Sequence, residues 1–143
     1  MHIRSATSKD AEALAGLLVE LGYPTSASAL PERLRAIAVE GGTVFLAVDS
    51  GDTAVGLASV ARLSALHADA SVAYITALVT SAVARGGCVG RALVTAAEQW
   101  AREKGCVRLS VTSAEHRADA HAFYPRCGMP YSGRRFSKTL SPR

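Results

Sequence analysis

Residues 71–105 of this 143-residue chain read SVAYITALVTSAVARGGCVGRALVTAAEQWAREKG. The stretch opens with a run from Ser71 to Thr80 that is rich in Val, Ile, Tyr and Thr and alternates in part, which is typical of a β-strand. A turn of small residues follows, and after it the pattern changes period. Apolar residues then recur at helical spacing: Val89, Ala92, Leu93, Ala96, Ala97 and Trp100. The stretch therefore predicts a strand, a glycine-rich turn and a helix that stops near Gly105.

The turn from Arg85 to Gly90 favours an anionic ligand. The first backbone N–H groups of a helix have no partner within the helix, and the aligned peptide dipoles leave a positive potential there. Glycines allow a phosphate to approach these groups, and Arg85 and Arg91 add full charges. The alternative is an ordinary strand-to-helix turn that needs glycine for its dihedral angles, and the glycines alone do not separate the two interpretations.

Two familiar phosphate motifs do not fit this turn. A P-loop has Lys and Ser or Thr after its last glycine, whereas Gly90 is followed by Arg91 and Ala92. A dinucleotide-binding turn has the pattern G-x-G-x-x-G and an acidic residue at the end of the next strand. The next strand-like run, residues 106–112, contains no acidic residue. Both motifs are therefore excluded.

The turn resembles instead the acetyl-CoA-binding motif of the GNAT superfamily of N-acetyltransferases, Arg/Gln-x-x-Gly-x-Gly/Ala after a strand. Arg85 and Gly90 match its two ends, and Cys88 stands at its middle glycine. Residues 120–129, AHAFYPRCGM, resemble the family's second hallmark, Ala-x-x-Phe-Tyr-x-x-x-Gly-Phe, with Met129 in place of the last aromatic residue. The order and spacing of the other elements agree as well, so the resemblance covers essentially the whole chain.

The resemblance implies an α+β fold in one domain over residues 1–143, with a largely antiparallel mixed sheet that is flanked by helices on both faces. It implies acetyl-CoA as cosubstrate, with direct transfer of its acetyl group to a primary amine of a small molecule or peptide. In the family the central strand and the strand after the helix splay apart, and the pantetheine arm bonds to the main chain of the central strand. The cofactor-binding residues implied here are Leu78, Val79, Thr80, Arg85, Gly86, Gly87, Cys88, Val89, Gly90, Arg91 and Ala92.

The resemblance also implies that Tyr124 is the general acid that protonates the coenzyme A sulfur. A phenol, with a reference pKa of ~10, stays protonated at neutral pH and is a suitable donor to a thiolate. The alternative is that Tyr124 packs beside Phe123 in the core. A general base is not assigned, because the run from Ser71 to Thr80 contains no Asp or Glu. The polar candidates near it in the expected fold are Tyr74, Thr76, His116 and His121.

Three departures from the family pattern leave a catalytically idle acyl-CoA-binding or regulatory module as an alternative: Cys88, Pro125 and the lack of a carboxylate on the central strand. Cys88 would strain the turn if its φ had to be positive. Pro125 deletes the N–H that would bond to the carbonyl of His121, so we expect the last turn of its helix to be distorted or open. A third alternative is a small interaction domain in which the glycine turn is only structural.

Composition bounds the remaining possibilities. Hydrophobic residues make up 49% of the chain and charged residues 20%, which is typical of a globular domain. No apolar run is long enough to span a bilayer, and the polar start MHIRSATSKD does not resemble a signal peptide, so we expect a cytoplasmic protein without a membrane partner.

The net charge of +4 favours anionic ligands but gives no sign of nucleic-acid binding, since the basic residues form no run. The spacing of His116, His121 and Cys127 matches no metal motif, so no metal is expected. Dimers are common in the family, and a homodimer stays among the open alternatives.

The rest of the chain predicts a regular alternation of elements. We expect strands over residues 2–6, 43–48, 53–63, 107–112 and 131–140, with Gly56 at a bulge or a close approach. Helices are expected after capping signals at residues 7–10, at Ser26 or Ser28, and at Ser113. In the GNAT family the first two helices border the acceptor site. Three apolar residues there either line that site or, as we favour, belong to the core: Leu21, Tyr23 and Leu30.

Overall fold

The computed structural model describes residues 1–112 and 118–140. The strands are β1 (His2–Ser5), β2 (Thr43–Val48), β3 (Ala54–Leu63), β4 (Val72–Thr80) and β5 (Leu109–Val111), and the helices are α1 (Ala11–Leu21), α2 (Leu30–Val39), α3 (Val89–Glu103) and α4 (Ala118–Arg126). The chain divides into two compact units, Met1–Val111 and Thr112–Arg143. The first unit holds the whole sheet and helices α1 to α3.

The sheet has the strand order β1-β2-β3-β4-β5. The first three pairs are antiparallel. Short connections join β2 to β3 and β3 to β4 and return the chain beside the strand that it has just left, whereas α1 and α2 lie between β1 and β2. Strand β5 is parallel to β4, since α3 carries the chain back along the sheet between them. The predicted fold class, a largely antiparallel mixed sheet with helices, is confirmed.

The two faces of the sheet are covered by different helices. Helices α1 and α2 pack on one face, where the buried side chains are Leu14, Leu17, Leu30, Val44, Leu46, Val48, Leu57 and Val79. Helix α3 packs on the other face, where the buried residues are Ala47, Val55, Ala58, Val89 and Leu93. Gly56 lies beneath α3, and a Cβ there would be 3.0 Å from Leu93 Cδ1, from Val89 Cγ1 and from the Val79 carbonyl oxygen. The predicted close approach at Gly56 is therefore present.

The segment before α1 is fixed by polar contacts around Asp10. The Asp10 carboxylate accepts two hydrogen bonds from the Arg4 guanidinium, at 2.9 and 2.8 Å, and one from the Thr7 N–H at 2.7 Å. The bonds from Arg4, followed by the bond from Thr7, lower the pKa of Asp10 to about 2. The predicted capping signal at residues 7–10 is thus present, and its Asp10 carboxylate also joins β1 to the start of α1.

The end of α4 differs from the sequence-based expectation. The helix continues through Pro125 to Arg126, and its last turn closes. The N–H of Gly128, whose φ is +79°, bonds to the Pro125 carbonyl at 3.0 Å, and the Met129 N–H bonds to the Tyr124 carbonyl at 3.0 Å. This pair of bonds is the Schellman arrangement, which satisfies terminal carbonyls that a helix leaves unpaired. Of the distorted or open turn expected at Pro125, the open turn is therefore wrong, because these bonds close the end of the helix.

The strands expected over residues 131–140 are absent, since the structure has neither strand nor helix there. Every residue of this segment is exposed, so it has no buried face to favour one strand register. The Arg135 guanidinium bonds to Thr112 Oγ1 at 3.2 Å. Within residues 1–112 and 118–140, no helix is long and apolar enough to cross a membrane.

Candidate active site

Strands β4 and β5 pair over only part of β4. Ala73, Tyr74 and Ile75 pair with residues 109–111, and no other strand of the described residues lies on that side of Thr76 to Thr80. The second half of β4 therefore has a ladder partner only on its β3 side. Backbone groups along the open side are available to a ligand that carries amide groups.

A β-bulge marks the point where this open half begins. Ser59 of β3 faces Ala77, and the next residue, Val60, faces Ile75, so Thr76 has no opposite residue. The Thr76 hydroxyl donates instead to the Ser59 carbonyl oxygen at 3.2 Å. A bulge bends its strand and increases the local twist, which separates the paired from the open half of β4.

The turn after β4 has its left-handed residue at Gly86 rather than at Cys88. Gly86 has φ +87°, a conformation that L side chains rarely adopt, whereas Cys88 has φ −99° and ψ 13° immediately before α3. Cys88 is exposed and needs no positive φ. The strain that the sequence suggested for Cys88 is therefore not present in this turn.

The residues expected to bind the cofactor form one continuous segment: the end of β4, the turn and the first turn of α3. Val79 and Val89 are buried in the core, so only their backbone groups are available to a ligand. Residues 85–88 and Arg91 are exposed, and the others are half-buried: Leu78, Thr80, Gly90 and Ala92.

The chemistry of this segment fits a coenzyme A. The open half of β4 offers main-chain donors and acceptors to an amide-bearing arm. The start of α3, a helix of 15 residues, offers N–H groups without intrahelical partners to a pyrophosphate. Arg85 stands beside that helix start, and its Nε donates to the Thr80 carbonyl oxygen at 3.3 Å, which places the guanidinium at the junction between strand and turn.

Tyr124 belongs to the second unit, where it lies near the end of α4. Its side chain is half-buried, and its ring makes an edge contact with the ring of Phe123, with centroids 5.3 Å apart and planes at 70°. Such edge contacts restrict the ring orientation. His121 is exposed on the same helix. Ser113 and His116 lie outside the described residues.

The first unit also has a cavity of about 370 Å³ on the face that carries α2. It is lined by the end of α2 and by neighbouring parts of β3 and β4, with polar groups from Glu40, Ser59, Arg62, Tyr74 and Thr76. Tyr74 and Thr76 are among the polar candidates from the sequence, whereas Glu40 is not, because nothing around a glutamate at a helix end marks it as a cavity residue. The apolar candidates lie elsewhere: Leu30 is in the core, Leu21 packs against it, and Tyr23 is exposed.

The GNAT acetyltransferase family model matches residues 12–129 of the chain. The chain belongs to the GNAT family. Two relatives support the assignment of the chain to this family. The chain is 34% identical over 130 residues to an aminoglycoside N(6')-acetyltransferase type 1 of Stenotrophomonas maltophilia, with 88% of the chain and 84% of the relative covered. It is 30% identical over 141 residues to an aminoalkylphosphonate N-acetyltransferase of Salmonella typhimurium, with 97% of the chain and 91% of the relative covered.

Among solved structures, this GNAT chain has the fold of the aminoglycoside N-acetyltransferase AAC(6')-Iy, a protein that was solved in complex with CoA. The TM-score is 0.84, with 18% sequence identity, and the match covers 97% of the chain and 93% of that structure. Among the described residues of the GNAT chain, no group of three or more His, Cys, Asp or Glu side chains could hold a metal ion.

Proposed function

We propose that the protein transfers the acetyl group of acetyl-CoA to a primary amine on a small molecule, as one acetyltransferase domain over residues 1–143. The observation that carries this proposal is the open half of β4, which leads directly into a turn with a left-handed glycine and the start of α3. These features match the needs of a cosubstrate that has an amide-bearing arm and a pyrophosphate. The family match over residues 12–129 supports the reaction class and a single domain.

The cavity beside α2 is our proposed binding site for the acceptor. Its volume, about 370 Å³, is within the usual range for small-molecule sites. Glu40 brings a carboxylate to its lining and Arg62 brings a guanidinium, and the hydroxyl groups of Tyr74, Thr76 and Ser59 can hydrogen-bond to a polar ligand. Both relatives are named for small amines, an aminoglycoside and an aminoalkylphosphonate. These observations favour a polar, small-molecule amine over a peptide.

We further propose that Tyr124 is the general acid. When bound, acetyl-CoA supplies an activated acyl carbon, whose bond to sulfur breaks as its bond to the amine nitrogen forms. The Tyr124 hydroxyl donates its proton to the departing sulfur, and the tyrosinate recovers the proton that the amine nitrogen loses. No dedicated base is needed if water carries that proton, and β4 itself contributes no carboxylate.

The test is turnover of acetyl-CoA on a panel of amines, measured as release of the free thiol. The panel contains an aminoglycoside, an aminoalkylphosphonate, a lysine-containing peptide and a hydroxyl analogue that lacks the amine. We expect turnover on at least one small amine and none on the hydroxyl analogue. Acetyl-CoA binding without turnover on any amine would support the idle-module alternative and contradict the proposal.

A further inference from the structure

A long-range hydrogen bond joins the end of α1 to the turn after β4. Glu20, in the last turn of α1, accepts the backbone N–H of Ala82 at 2.8 Å, although 62 residues separate the two in the sequence. Ala82 is the first residue of a short 3-10 turn, Ala82–Ala84, that lies between β4 and the glycines. An acidic side chain of α1 is thus bound to the turn that follows β4.

The bond takes the place of a local cap. Ser81 precedes the 3-10 turn, but its side chain makes no capping hydrogen bond. The Ser81 hydroxyl is buried and has no hydrogen-bond partner within the described part of the chain. The first N–H of such a turn has no partner inside the turn, so the Glu20 carboxylate satisfies a donor that Ser81 leaves open.

Two ordinary backbone hydrogen bonds hold the start of the turn. The Ser81 N–H bonds to the Val55 carbonyl at 2.8 Å, and the Ala84 N–H bonds to the Ser81 carbonyl at 3.0 Å. They fix Ser81, where the chain leaves β4, and leave the N–H of Ala82 to Glu20.

The contacts beyond Ala82 are weaker. The Arg85 N–H bonds to the Ala82 carbonyl at 3.5 Å and the Gly87 N–H bonds to the Ala84 carbonyl at 3.4 Å, both longer than an ordinary N–H···O bond. The Glu20 bond, at 2.8 Å, is shorter and is strengthened by the charge of the carboxylate. Of the two hydrogen bonds made by the backbone of Ala82, it is the one better able to fix the path of the chain toward Arg85.

We propose that Glu20 is a positioning residue of the acetyl-CoA-binding turn, which rests on the function proposed above. By holding Ala82, it sets the path of the chain to Arg85 and Gly86, and hence the direction in which their charge and N–H groups face the cofactor. A purely electrostatic role predicts the opposite effect, because a carboxylate beside a polyanion site repels the ligand. The sign of the effect on affinity therefore separates the two roles.

Three substitutions separate reach, charge and hydrogen bonding. Glu20→Gln keeps an acceptor of the same length and removes the charge. Glu20→Asp keeps the charge and loses the reach, and Glu20→Ala loses both. Glu12→Ala, in the first turn of the same helix, is the matched control because it removes an equal charge from an exposed position that has no contact with the turn.

The experiment measures the dissociation constant for acetyl-CoA by calorimetry, and the KM for each substrate, on the full chain. We expect Glu20→Ala and Glu20→Asp to weaken acetyl-CoA binding roughly 5–10-fold, as the loss of one charge-assisted hydrogen bond implies. Glu20→Gln, which keeps an acceptor without the charge, should lose less affinity than Glu20→Ala, Glu12→Ala should stay within about twofold of the wild type, and the KM for the amine should be unchanged in all four.

Each other outcome overturns the inference in a recognisable way. Tighter binding in both Glu20→Gln and Glu20→Ala would show a repulsive charge rather than a positioning role. A lower melting temperature with unchanged affinity in Glu20→Asp and Glu20→Ala would show a structural role only. If the wild type does not bind acetyl-CoA, the proposed function fails and this inference fails with it, whereas binding that is equal in the wild type and in Glu20→Asp refutes only the inference.

Discussion

Substitution of Gly56 by alanine tests the packing that joins the sheet to α3. The new Cβ would lie 3.0 Å from Leu93 Cδ1, from Val89 Cγ1 and from the Val79 carbonyl oxygen. Contacts this short force the neighbours to move, and one of the three is a backbone atom of β4 that cannot rotate away. Because Val89 begins α3, the movement reaches the start of the cofactor helix.

The change in the free energy of unfolding is the sum of two opposing contributions. Overpacking a core by one methyl group costs about 1–3 kcal/mol. Replacing glycine by alanine restricts the unfolded chain and returns about 0.4–1 kcal/mol. The expected net loss in the free energy of unfolding is about 1–2 kcal/mol, which lowers the melting temperature of a chain of this length by roughly 3–8 °C.

The matched control is Gly16→Ala in the middle of α1. A Cβ on Gly16 would meet no atom within 4 Å, so only the favourable term applies. We expect Gly16→Ala to raise the free energy of unfolding by about 0.5–1 kcal/mol, measured by denaturant titration alongside Gly56→Ala. If Gly56→Ala is as stable as the wild type while Gly16→Ala behaves as expected, the packing argument for α3 is refuted.

Three further predictions concern single side chains. The pKa of Asp10, about 2 against an ordinary 3.8, means that its stabilising effect is present above about pH 4 and is lost as the pH falls toward about 2. Asp10→Asn should therefore lower the free energy of unfolding by about 1 kcal/mol at neutral pH, a figure already reduced for solvent screening, and the difference from the wild type should shrink as the pH falls through about 2 in a series of chemical melts. Tyr124→Phe should lower kcat by ~100-fold without changing the dissociation constant for acetyl-CoA, whereas the same substitution at the exposed Tyr131 should leave kcat unchanged in the thiol-release assay. Glu40→Gln should raise the KM for a cationic amine roughly 5-fold and leave the KM for acetyl-CoA unchanged, and an unchanged amine KM would argue against the cavity as acceptor site.

The elements that the sequence predicted correctly are those with a local cause. The strand expected from Ser71 to Thr80 is found over Val72–Thr80, and the helix expected from Val89 begins at Val89. In both cases the hydrophobic periodicity lies within a single element, so neighbouring residues alone indicate the element and its buried face. The link through α3 also explains why β5 is parallel to β4, because a helical crossover returns the chain in the same direction.

The errors lie where conformation depends on the position within a turn or on a partner. The sequence located a possible strain at Cys88, but the turn places its positive φ two residues earlier, at Gly86. The segment 131–140 contains strand-forming residues such as Tyr131 and Phe136, yet a strand also needs a ladder partner and a buried face. The closed turn after Pro125 depends on the Schellman bonds of Gly128 and Met129, which the proline by itself does not indicate.

The residues of the proposed sites that the sequence did not indicate depend on long-range contacts. Glu20 meets Ala82 across 62 residues, and no spacing rule connects them. Glu40 reaches the cavity only because α2 ends above β3 and β4. Sequence patterns report on neighbours along an element, so a site assembled from three elements carries no local signal.

The most direct test of the account is whether acetyl-CoA stabilises the folded protein through the turn after β4. At a concentration one hundred times its dissociation constant, a ligand adds about 2.7 kcal/mol to the free energy of unfolding, which raises the melting temperature by several degrees. The measurement compares the wild type with Arg85→Ala, and with Arg33→Ala as an exposed control on α2. The account predicts a clear shift in the wild type and in Arg33→Ala and a much smaller shift in Arg85→Ala at the same ligand concentration. No shift in the wild type at millimolar acetyl-CoA, or an equal shift in all three proteins, would contradict it.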